Sequence, residues 1–124
     1  MLGADAVAYR SFEELEVWRK SSRLAVEIVE AFRDCRDFGL RDQVLKSAIS
    51  VPSNIAEGAE RGSNKEFIRF LHIAKGSAAE LRTQIYIASE LDILPSAVAK
   101  DFIDRLKTVS SQLQALIASL KPNT

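Results

Sequence analysis

Apolar residues along this chain recur at every third or fourth position over four long stretches, the spacing of amphipathic helices and not of strands. The first stretch predicts a helix from Ser11 to about Asp34, with Leu15, Trp18, Ser22, Ala25, Val29 and Phe32 along its seam. Ser11-Phe12-Glu13-Glu14 opens it with the spacing of a capping box, in which the Ser and Glu side chains each satisfy the other residue's free amide. A second helix starts near Leu40, places Val44, Ala48, Val51 and Ile55 on one side, and ends between Gly58 and Gly62. The third opens with another capping box, Ser63-Asn64-Lys65-Glu66, and buries Phe67, Phe70, Leu71, Ala74, Ala78, Leu81, Ile85 and Ala88 before Asp92. The fourth follows Pro95, repeats Phe102, Leu106, Val109, Leu113, Leu116 and Leu120 on a heptad, and stops at Lys121-Pro122.

Helices of about 20 to 28 residues joined by short connections must run antiparallel to their sequence neighbours. The predicted fold is therefore all-α, an antiparallel up-down-up-down four-helix bundle over residues 11–121, behind a loosely held N-terminal arm at 1–10. Two features depart from a plain bundle. Pro52 falls inside the second helix, where it removes an amide and frees the carbonyl of Ala48, so that helix either kinks or divides. Apolar residues also spill beyond one seam per helix, at Val17, Ile28, Ile49, Ala56, Ile68, Ile73 and Ile87, which implies packing against further copies.

The chain has 124 residues, enough for one domain with a real core. Its 17 basic and 17 acidic side chains cancel, so bulk charge cannot drive tight binding to nucleic acid or to an anionic membrane. One Cys and one His exclude an internal disulfide, a thiolate metal cluster and any site needing two imidazoles. With no membrane-length apolar run and no leader-like start, the expected compartment is the cytoplasm.

The run Ser47-Ala48-Ile49-Ser50-Val51-Pro52-Ser53-Asn54-Ile55-Ala56-Glu57-Gly58, followed by Arg61, Ser63, Glu66-Phe67, Phe70-Leu71, Ile73-Ala74, Gly76-Ser77 and Glu80-Leu81, resembles a bacterial family. These are the four-helix-bundle proteins encoded in intervening sequences of large-subunit ribosomal RNA genes. Phe12, Leu15 and Trp18 match the family's opening, and the similarity runs from about Phe12 to Leu94. The resemblance singles out Asn54, Glu57, Gly58 and Glu80 as motif residues. It implies a homopentamer and a kinked but continuous helix at Pro52. It also implies a likeness to the accessory protein of diversity-generating retroelements, which would make RNA or a reverse transcriptase the partner.

Candidate chemistry is scarce. A di-metal carboxylate site needs Glu-x-x-His on two helices, whereas the lone His72 is preceded by Arg69. Cys35 has no sign of an activating environment, Trp18 reads as core and His72 as surface, and the glycines lack phosphate-loop spacing. Glu57 has no acid or base partner in view. These absences predict no enzyme, no metal, no cofactor and no small-molecule substrate.

Charge distribution is more informative. Residues 61–82 carry five basic and two acidic side chains, and Arg61, Lys65, Arg69 and Lys75 fall on the side of the third helix opposite its seam. Repeated around a ring of subunits, this stripe becomes a candidate nucleic-acid surface. Gly76, Ala79 and Thr83 form a strip of small side chains on the same non-core side, a candidate oligomer contact where another helix can approach closely. The predicted function is a non-enzymatic oligomeric bundle that binds RNA weakly or assists a reverse transcriptase, against the alternative of a scaffold acting by protein contact alone.

Overall fold

The computed structural model describes residues 11–120. After one 3-10 turn at Phe12–Glu14 come four helices: α1 (Glu16–Ala31), α2 (Phe38–Ala59), α3 (Asn64–Glu90) and α4 (Ser96–Ser119). Each packs on its sequence neighbour, and α1 closes onto α4, giving the all-α four-helix bundle. The arm at 1–10 and the stop at Lys121-Pro122 lie outside the described residues.

Side-chain caps mark where two of the helices start. Ser63 Oγ accepts from the amide of Glu66 at 3.2 Å, as the second capping box predicts, while the Glu66 carboxylate turns outward to Arg69. Asp37, which was not singled out from the sequence, caps α2 by accepting from the amide of Leu40 at 3.0 Å, and so starts that helix at Phe38. The expectation at Ser11 fails. Its side chain makes no cap bond, Glu14 N–H instead closes a turn on the Ser11 carbonyl, and Leu15 is the extended residue from which α1 departs. The reason is packing: Phe12 meets Trp18 edge-to-face with centroids 5.1 Å apart, which folds the turn back over the helix.

On α3 all eight predicted seam residues are buried. On α1 the buried face is rotated from the predicted one: Val17, Ser21, Leu24, Ala25 and Ile28 are buried with Phe32, and Leu15, Trp18 and Val29 are only half-buried. Val17 and Ile28 therefore belong to the core and do not mark an additional contact. Two overlapping apolar seams coexist on α1, and its neighbours choose between them. One such neighbour contact is Arg105 of α4, which donates to both carboxylate oxygens of Glu27 at 2.7 and 3.1 Å. This pairing, first among the causes, holds Glu27 below the ordinary glutamate range.

Helix α2 is continuous through the buried Pro52, so the reading of two separate helices is excluded. Gly62 turns the α2–α3 connection with φ of 87°, a conformation that suits a residue without Cβ. The α3–α4 connection uses a non-glycine at the equivalent place: Asp92 has φ of 58°, and Ile93 N–H returns to the carbonyl of Ala88 at 2.8 Å.

Candidate interaction surface on α2 and α3

The motif residues come together where α2 crosses α3. Asn54 Nδ2 donates to the Ser50 carbonyl and hydroxyl at 2.8 and 2.9 Å. Ser50 Oγ shares a 2.8 Å hydrogen bond with Ser77 Oγ of α3, and one turn back Ser47 Oγ donates to Glu80 Oε1 at 3.4 Å. The result is a polar track along one flank of the α2–α3 seam, with Asn54 preorganising Ser50 and Glu80 receiving Ser47. At the helix ends the contact tightens until only glycine fits: a Cβ on Gly58 would lie 2.6 Å from Phe70 Cβ and 3.3 Å from the Phe67 carbonyl oxygen. Glu57 points outward to Arg61, with Oε2 2.9 Å from the guanidinium. Asn54, Gly58 and Glu80 thus hold two helices in register, and Glu57 serves the loop between them.

Of the predicted basic stripe the Phe70 ring brings Arg61 and Arg69 together, and the four cations are not uniformly free. Arg61 sits in the connection before α3, paired with Glu57, its guanidinium 4.9 Å from the Phe70 ring centroid. Arg69 lies 4.5 Å from the same centroid and is paired with Glu66 at 3.0 Å. That hydrogen bond holds Glu66 below and Arg69 above their ordinary ranges. Lys75 donates to the neutral Gln114 Oε1 at 2.6 Å. The Lys65 side chain makes no hydrogen bond or ion pair among the described residues. Two of the four cations are therefore partly neutralised by neighbouring carboxylates, which local charge counting did not register for Glu57.

The small-residue strip is on the surface, as its helical position predicts. Gly76, Ala79 and Thr83 are all exposed, and a Cβ on Gly76 would meet nothing within 4 Å. Ile73 at 41 % and Ile87 at 46 % exposure extend the strip at both ends. Ile73, Gly76, Ala79, Thr83 and Ile87 follow one another in steps of three and four, forming a ridge about 21 Å long. On the back of α2, Ile49 is also exposed.

Catalytic geometry does not assemble around the remaining candidates. Cys35 is half-buried with its thiol toward the Asp37 carbonyl at 3.5 Å, and His72 is exposed. No group of three or more His, Cys, Asp or Glu among the described residues is arranged to hold a metal ion. No described helix is long and apolar enough to cross a membrane.

Comparison with known proteins agrees with this architecture. The family model of the 23S rRNA-intervening sequence protein matches residues 13–115. A crystal structure of a protein of unknown function from the S23 ribosomal protein family of Bacteroides thetaiotaomicron is similar in fold, with a TM-score of 0.77 at 24 % identity. The alignment covers 82 % of this chain and 97 % of that one. A search of curated proteins gave no match.

Proposed function

Since the chain belongs to the 23S rRNA-intervening sequence protein family, we propose that it is a non-enzymatic scaffold of the cytoplasm that assembles with copies of itself through the outer ridge of α3. One observation carries the reading. Gly76 is unfavourable in a helix by about 1 kcal/mol relative to Ala, and nothing inside the subunit requires it, because its missing side chain opens onto empty space. Close approach by another helix supplies the reason, and the flanking Ile73 and Ile87 supply apolar surface for that contact to bury. The resemblance to pentameric relatives favours five copies. Light scattering at low micromolar concentration tests this: a particle of about five times 13.7 kDa is expected, and Gly76→Arg should release folded monomers. A monomeric wild type overturns it.

A second reading, contact with RNA, draws on Lys65 and Lys75, the two stripe cations without a carboxylate partner. A ring would repeat the band of Arg61, Lys65, Arg69 and Lys75 in every subunit, and its binding should weaken steeply with salt. Fluorescence anisotropy with labelled RNA at low salt should lose its signal in Lys65→Glu with Arg69→Glu. Equal binding by that variant removes this site and leaves protein contact, with a reverse transcriptase among the candidate partners, as the function.

A further inference from the structure

The α1–α4 edge of the bundle is open along much of its length, and its two halves carry opposite charge. Toward the N-terminal half of α1, a groove of about 470 Å³ has Leu24 and Val109 among its lining, with Arg19, Lys20, Arg23 and Arg105 and no carboxylate. Toward the C-terminal half, a groove of about 570 Å³ is lined by Val26, Val98 and Phe102 together with Glu27, Glu30 and Asp101, and no cation. The Arg105–Glu27 pair stands between them, one partner lining each groove. Among the lining charges Lys20 also meets Glu16, Arg23 meets Glu27, Asp101 meets Arg105 and Glu30 meets Arg33, all surface pairs that an intermolecular partner can replace at little cost.

From this polarity we propose that the α1–α4 edge is a docking surface for a second copy of the chain, placed antiparallel about a twofold axis. A contact of like patch with like patch is necessarily twofold, and only the antiparallel arrangement sets each basic half on the partner's acidic half. Val26, 59 % exposed, and Val98, 37 % exposed, provide apolar surface within that footprint. With α4 about 36 Å long and two helices about 20 Å wide, the footprint approaches 700 Å² per copy, just below that of a standard stable interface. The contact is therefore weak and adds to assembly through α3, joining copies in pairs at high concentration.

Sedimentation of the full chain carrying Gly76→Arg tests this apart from the α3 ridge, because each particle then bears one α1–α4 edge and pairing doubles its mass. That mass should double between about 5 and 500 μM, a range suited to weak association. In the same background Arg19→Glu with Lys20→Glu and Arg23→Glu makes both halves acidic, and Glu30→Lys with Asp101→Lys makes both basic. Each variant alone, shown folded by circular dichroism, should fail to double, and an equimolar mixture should double again. Charge variants that double like the Gly76→Arg chain, or a mixture that does not, overturn the proposal, and so does a Gly76→Arg mass that is constant over the range. A wild type that is monomeric at low micromolar concentration removes the α3 reading alone, so the two failures are read separately.

Discussion

Gly58 of α2 and Phe70 of α3 are so close that a methyl group on the glycine would stand 2.6 Å from Phe70 Cβ, inside van der Waals contact. Phe70 is 6 % exposed and its Cβ is fixed to the helix, so no flexible side-chain end can swing aside. Gly58→Ala should therefore force α2 and α3 apart. The expected loss is about 2 to 3 kcal/mol, typical of overpacking, even though Ala is the better helix former. Chemical denaturation measures it, and a stabilised variant would contradict the close approach.

Core burial on α4 makes a separate prediction. Leu106 is 2 % exposed, and truncation to Ala should remove about 2 to 5 kcal/mol of stability. Trp18, half-buried against Phe12 and the edge of the core, should lose less per carbon removed when changed to Leu. Urea unfolding of both variants ranks them.

Glu27 ties stability to pH. Its carboxyl is held below the ordinary glutamate range chiefly by the hydrogen bond from Arg105, so its pairing contributes above the unfolded-state value and is lost as pH falls through the lower folded value. Thermal stability should decline on acidification below about pH 4.5, and Glu27→Gln should flatten that part of the curve. Both side chains are more than a third exposed, so the effect is small and salt should reduce it further.

Asp92 occupies the left-handed region with φ of 58° at the end of α3. Glycine adopts that conformation without a Cβ penalty, so Asp92→Gly should raise stability by up to about 1 kcal/mol, partly offset by the greater freedom of glycine in the unfolded chain. A small increase in melting temperature is the expected result.

Helix number, order and most of the core are set by local pattern in this chain. Three- and four-residue spacing of apolar side chains makes helices wherever it occurs, and on α3 one long uninterrupted seam is the face that is buried. Asn54, Gly58 and Glu80 were also visible as motif residues, through the resemblance of residues 47–81 to a known family. What that motif does was not visible: the 2.6 Å approach at Gly58 and the Ser50–Ser77 bond exist only once two helices cross. The face of α1 was decided in the same way. Its sequence offers two overlapping seams of similar hydrophobicity, and the choice of Val17 and Ile28 over Trp18 rests on contacts with other parts of the chain. Phe12 takes up the Trp18 ring, and Arg105, 78 residues from Glu27 along the chain, anchors the helix. The polarised α1–α4 edge is likewise a tertiary property, since each half draws its charges from two helices that lie at opposite ends of the described sequence.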